Sequence, residues 1–128
     1  MPRIGIGPKW LPTMNCHRGD VVLVLFPDSN LRTAKRRPAL VVQADRLGAN
    51  LPQTIVAMIT SNMARAGHPS RVIVAVGSET AKGSGLLMDS LVMTDNLATI
   101  HDSEIDRVIG TFAGLKEIDE ALRTTLAL

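Results

Sequence analysis

The stretch Lys35-Arg36-Arg37-Pro38-Ala39-Leu40-Val41-Val42-Gln43 sets three consecutive cations directly before a β-branched apolar run. Pro38 supplies no backbone donor and biases Arg37 toward extended geometry, which predicts a strand over Ala39 to Gln43 with the cations at its mouth. A guanidinium fixed to the end of a buried strand can hold a phosphate at a chosen place, whereas one on a mobile loop only attracts it.

Working outward from this strand, the same pattern of apolar run and polar stop recurs. Arg18-Gly19-Asp20 leads into Val21 to Phe26, a continuous apolar run of strand length that Pro27-Asp28-Ser29-Asn30 ends. The polar, basic segment from Asp28 to Lys35 reads as a long functional loop. Downstream, Gly48, Asn50 and Pro52 mark a loop before a third strand, Thr54 to Thr60, which stops in Thr60-Ser61-Asn62. A fourth strand is predicted over Arg71 to Val76, and a fifth over Leu91 to Met93, ending at Thr94-Asp95-Asn96. Asp102 or Ser103 is expected to cap a single turn before a short strand from Val108 to Phe112. Leu115, Ile118, Leu122 and Leu126 then fall on one helical face opposite Lys116, Glu117, Glu120 and Arg123. No helix separates the early strands, so the expectation is a mainly β fold, a small barrel or strongly curved sheet lidded by a C-terminal amphipathic helix.

A chain of 128 residues buries a core without staples and reads as one domain over 18–128, after a flexible leader at 1–17 in which Met14 offers a second start. With one Trp, two Phe and no Tyr, the core must be aliphatic, and binding by a row of stacked bases is excluded. The lone Cys16 excludes an intrachain disulfide or a cysteine zinc site and fits a reducing compartment. No apolar run approaches the roughly 18 residues of a membrane span, so a soluble cytoplasmic protein is expected. The net charge of +2 and pI near 9.1 permit an anionic partner, with local clustering deciding the matter.

Arg36-Arg37, Thr60-Ser61-Asn62 and Thr94-Asp95-Asn96 all fall at predicted strand ends, which converge at one rim in a small barrel. Cations, hydroxyls and a carboxylate in one place suit a phosphodiester. Internal attack by a ribose 2′-hydroxyl needs a base, an acid, and positive charge for the phosphorane oxygens. Arg37 meets the last need with a forked guanidinium, and Thr60 or Ser61 can donate to a nonbridging oxygen. With a pKa above about 12, arginine is a poor acid or base. Taken singly, each cluster also serves as a turn, a cap or a solvated strand start. His17, His68 and His101 sit on unrelated loops, where surface or capping roles are ordinary; His68, shortly after Thr60-Ser61, is kept as a site candidate. Asp89, Asp95, Asp102, Glu104 and Asp106 lack the spacing of a metal site, and no phosphate-binding glycine motif appears, so neither metal nor cofactor is expected.

In order along the chain, Arg18-Gly19-Asp20-Val21-Val22, Arg36-Arg37-Pro38-Ala39-Leu40-Val41-Val42, Ile59-Thr60-Ser61, Asp89-Ser90 and Asp119-Glu120-Ala121-Leu122 resemble the MazF/PemK family of toxin endoribonucleases. The resemblance spans Arg18 to Leu128 and implies an SH3-like barrel, usually a homodimer. It implies cleavage of single-stranded RNA without a metal or cofactor to leave a 2′,3′-cyclic phosphate. It carries the family's catalytic arginine onto Arg37 and its catalytic threonine onto Thr60, with Ser61 and Asp95 matching the further serine and acid of the PemK-like branch. Met93 stands where that branch places an arginine two residues before the acid, which favours an Arg37/Thr60 arrangement. An antitoxin whose acidic or amphipathic tail displaces the Asp28 to Lys35 loop is the implied partner. Arg32, Lys35, Arg36, Asn62 and His68 are the expected RNA-binding residues, the inhibitor and RNA competing for one positive surface. The alternative is a noncatalytic nucleic-acid-binding module or a gyrase poison on the same fold, neither of which needs the Arg37/Thr60 pair.

Overall fold

Apolar residues that run on without alternation belong to strands covered on both faces, and the computed structural model shows how this chain covers them. It describes residues 16–27, 34–47 and 51–128. These form β1 (Asp20–Pro27), β2 (Ala34–Val41), β3 (Gln53–Thr60), β4 (Arg71–Val74), β5 (Ser90–His101), β6 (Ile105–Thr111) and α1 (Leu115–Leu126), with 3-10 turns at Met63–Arg65 and Asp102–Glu104. The strands make one antiparallel sheet in the order β4-β5-β3-β2-β1-β6.

Neighbouring residues divide between two cores. Val21, Leu40, Ala57, Ile59, Val74 and Val92 pack on one face with Phe112 and with Ile118 of α1. Val22, Val24, Ala39, Val41, Met58 and Met93 pack on the other with Ile100 and Ile105. Curvature closes this second face. Strands lie about 4.8 Å apart, so a flat sheet would part β5 from β6 by about 19 Å, four spacings. The 3-10 turn Asp102–Glu104, rising about 2 Å per residue, joins them, and the sheet must curl for it to reach. The result is a barrel-like sheet left open between β5 and β6, with the helix at one face.

The predicted helix forms with Ile118 and Ala121 buried. Arg18 ties it down: its guanidinium donates to the Val42 carbonyl and to the Asp119 carboxylate, joining the turn before β1, the end of β2 and the helix. Among the described residues, no helix is long and apolar enough to cross a membrane.

Some strand limits differ from expectation. β2 runs from Ala34 to Val41 rather than from Ala39 to Gln43, so the cations lie within it: Lys35, Arg36, Arg37 and Pro38 pair with Phe26, Leu25, Val24 and Leu23 of β1. The ladder with β3 starts only at Ala39 and runs through Leu40 and Val41, and the Val42 and Gln43 N–H groups both donate to the Ile55 carbonyl just beyond it. Pro38, which has no N–H, stands where β2 changes from a strand paired on both sides to one paired on a single side. β5 does not stop at Thr94-Asp95-Asn96 but continues to His101, because β3 carries on beside it. β4 ends at Val74, and β6 starts at Ile105. The turn at Asp102–Glu104 is capped by His101 rather than by Asp102 or Ser103: Nδ1 accepts from the Ser103 N–H at 3.2 Å, and Glu104 accepts from the His101 N–H at 2.8 Å.

Candidate active site

The last β2–β3 pair is Ala39 with Met58. Two residues further along each strand, the same register sets Arg37 opposite Thr60, just where the strands part. Two clefts open there. The larger, about 480 Å³, is lined by Arg36, Arg37, Thr60, Ser61, Arg107 and Met88 among others. The smaller, about 370 Å³, is lined by Arg37, Thr60, Arg65 and Asn96 around Met58 and Met93. Arg37 and Thr60 border both.

Alternation along β2 sends Lys35 and Arg37 to one face and Arg36 to the other. Arg36 reaches across β1, placing its Nε 3.2 Å from an Asp106 carboxylate oxygen. The Thr60 hydroxyl oxygen accepts the Asn62 N–H at 3.1 Å, which occupies a lone pair and leaves the hydroxyl proton to donate elsewhere. Asn62 in turn caps the Met63–Arg65 turn, its side-chain oxygen accepting from the Ala64 N–H at 3.1 Å.

Asp95 is held by Arg71, whose Nη2 and Nε donate to its two carboxylate oxygens at 3.0 and 3.4 Å. This hydrogen bonding holds the Asp95 carboxyl below the usual carboxylate range, outweighing its slight desolvation, so it is ionised at neutral pH. Arg71 pairs with Met93 across the β4–β5 ladder. The guanidinium that the resemblance expects at Met93 therefore reaches Asp95 from the adjacent strand.

Of the sequence candidates, the structure brings together Arg36, Arg37, Thr60 and Ser61 at the larger cleft. Asp95 faces Arg71 and lines neither cleft. Lys35 is exposed on β2. His68 is exposed in the turn before β4, its Nδ1 accepting the Ser70 N–H at 3.1 Å and lying 2.7 Å from the Ser70 hydroxyl. Lys35, Asn62 and His68 line neither cleft, and Arg32 lies outside the described residues, as does most of the Asp28 to Lys35 loop.

Sequence reasoning missed Arg65, Arg107 and the loop at Gly85 to Met88. Arg107 reaches the larger cleft because β6 pairs with β1, setting Arg107 beside Leu23. The loop arrives by direct backbone contact with β6. A Cβ on Gly110 would lie 2.2 Å from the Gly83 oxygen, and one on Gly85, at φ +79°, would lie 2.2 Å from the Ile109 oxygen. The Thr111 N–H donates to the Gly83 carbonyl at 2.8 Å. The glycines at 83, 85 and 110 are visible in the sequence, but what they approach is not.

Fold and clefts together describe a small curled β-domain that gathers arginines and hydroxyls where β2 and β3 part, an arrangement suited to an anion. Residues 17–126 match the model of the PemK-like, MazF-like toxin of type II toxin-antitoxin systems. The chain is 38% identical over 107 residues to endoribonuclease MazF6 of Mycobacterium tuberculosis, covering 81% of this chain and 90% of the relative. It is 32% identical over 114 residues to endoribonuclease EndoA of Bacillus subtilis, covering 87% and 94%. This protein belongs to the PemK/MazF toxin family. Its fold is also that of a mycobacterial endoribonuclease solved with its cognate antitoxin, with TM-score 0.68 and 23% identity over 88% of this chain and 96% of that one. The same holds for a MazE–MazF structure from Deinococcus radiodurans, with TM-score 0.69 and 19% identity over 89% and 98%.

Proposed function

We propose that this chain is a cytoplasmic toxin endoribonuclease that cleaves single-stranded RNA, mRNA included, by attack of a ribose 2′-hydroxyl on the adjoining phosphate. The product ends in a 2′,3′-cyclic phosphate, and no metal takes part. The observation that carries this reading is the placing of Arg37 and Thr60 on the border shared by two clefts, where the scissile phosphate of a strand running through both would lie. The Arg37 fork takes the nonbridging oxygens as negative charge grows on them, and the Thr60 hydroxyl donates to one of the same oxygens. Ser61 offers a second hydroxyl from the larger cleft. Arg36 and Arg107 set the neighbouring phosphate, with Lys35 and Arg32 further out on the approach. Asp95, already bound by Arg71, supports the site rather than contacting the phosphate.

The partner that switches the activity off is a cognate antitoxin, as in the relative solved with one. Leu87 is 92% exposed and Met88 60% exposed beside the arginines of the larger cleft, a surface for an acidic segment carrying apolar side chains. The active form is a homodimer. The deciding experiment incubates the purified protein with single-stranded RNAs of varied sequence in the presence of a chelator. Fragments ending in 2′,3′-cyclic phosphate are expected; RNA that stays intact throughout overturns the proposal.

A further inference from the structure

The smaller cleft has a second wall that the cleavage chemistry does not use. Arg65, from the Met63–Arg65 turn, and Asn96, from β5, line it together with Arg37, Thr60, Met58 and Met93. Asn96 is there because of an irregularity in β5. Met58 pairs with Met93 but its neighbour Ala57 pairs with Leu97, so Thr94, Asp95 and Asn96 are extra residues opposite β3. Bulges of this kind re-aim a side chain.

Each residue of the bulge has its own tether or task. Thr94 is fully buried; its N–H and hydroxyl both donate to the Ser70 carbonyl, at 3.0 and 2.6 Å, and its hydroxyl oxygen lies 2.8 Å from that of Thr125. Asp95 is bound by Arg71. Asn96, exposed, lines the cleft. The same Arg71 donates through Nη1 to the Arg65 carbonyl at 2.8 Å. One guanidinium outside the cleft thus holds the backbone of one wall residue and the immediate neighbour of the other, a use that suits its rigid fork of donors.

We propose that this cleft is a base-reading subsite that takes one unstacked nucleobase of the RNA next to the scissile phosphate, with Asn96 hydrogen-bonding the base edge and Arg71 as the positioning residue. This rests on RNA being the substrate. A lone cation attracts every nucleotide alike, whereas a carboxamide offers a donor and an acceptor and so distinguishes base edges. Unstacked single-stranded bases are the usual objects of such reading in RNA. Few aromatic residues are present to stack on, and buried Met58 and Met93, 6% and 5% exposed, give the base face a polarizable floor. Arg65, whose Nη1 lies 3.9 Å from the Met93 sulfur, sets its positive charge beside that floor for the adjoining phosphate.

The test measures affinity for a set of short, uniformly 2′-O-methylated single-stranded RNAs that differ by one base at each position, alongside cleavage of the matching unmodified RNAs. Methylation blocks 2′-hydroxyl attack, so binding preference is read apart from catalysis. The full-length protein is expected to prefer one base at one position by roughly tenfold. Asn96→Ala and Arg71→Met should both erase that preference at the same position; Asn96→Ala should leave thermal unfolding close to that of the parent, whereas Arg71→Met, which also loses the Asp95 pair, should lower the midpoint while the protein still unfolds in one cooperative transition. Arg65→Ala should weaken all the oligonucleotides together and lower the salt slope by about 0.7. If the parent cuts RNA but both specificity variants keep its base preference, the subsite is wrong and the nuclease reading stands. If the parent cuts nothing yet its base preference depends on Asn96, the nuclease reading falls and the subsite stands. A parent that binds every oligonucleotide alike, or none, overturns the subsite.

Discussion

Arg37 and Thr60 stand opposite each other two residues beyond the last β2–β3 pair, Ala39 with Met58, on the border of both clefts. The ladder that holds Ala39 in the core therefore also sets the two residues side by side at the border of the clefts. Arg37→Ala should lower the single-turnover cleavage rate on the order of 10²- to 10³-fold, the usual cost of one transition-state donor. Circular dichroism and the thermal midpoint should stay near the parent's, since the side chain is exposed. Arg37→Lys should not restore the rate, because an ammonium cannot make the forked contact. Normal cutting by Arg37→Ala would remove the site assignment.

Arg36 faces the other side of β2 and shares its charge with Asp106. Arg36→Ala should weaken RNA binding and reduce the slope of log affinity against log salt by about 0.7, the value for one phosphate contact on a single strand. The rate at saturating RNA should change little. A salt titration of binding checks this, and an unchanged slope would place Arg36 outside the RNA path.

Gly110 lies under the backbone of the loop at Gly83 and Ser84, with no room for a Cβ. Gly110→Ala should destabilise the fold by about 1–3 kcal/mol, as overpacking does, and displace the loop that carries Leu87 and Met88. Urea unfolding measures the first effect. Gly67→Ala is the control: nothing lies within 4 Å of the added Cβ, so only its φ of +99° opposes the substitution.

The Arg71–Asp95 pair lowers the folded-state pKa of Asp95 below its unfolded value. The pair's contribution to stability is therefore complete above the ordinary aspartate pKa of about 3.9 and is lost as pH falls through the depressed folded value. Asp95→Asn should therefore flatten the acid side of the stability–pH curve below about pH 4 and leave its shape near neutrality alone. An acid limb identical to the parent's would show that the pair does not couple to folding.

Much of the architecture was legible because it depends on neighbours in sequence. Val21 to Phe26 and Thr54 to Thr60 announce strands by continuous β-branched and apolar residues, and the spacing from Leu115 to Leu126 announces the helix. The resemblance could pick out Arg37 and Thr60 because each stands beside a local marker, Pro38 and the end of an apolar run. The strand limits were less legible: nothing in Ala34 to Arg37 says that β1 will pair with it.

By itself, then, the sequence determined which segments are strands and helix, which family they belong to, and that cations precede the apolar run of β2 while hydroxyls follow that of β3. Tertiary structure alone decided how these groups combine. The pairing of β6 with β1 brings Arg107 to the larger cleft, and the extra residues of β5 turn Asn96 into the smaller one. The pairing of β4 with β5 lets Arg71 hold Asp95. Strand order and register arise from contacts between residues tens of positions apart, selected by how two apolar faces are buried at once, and no local pattern encodes them.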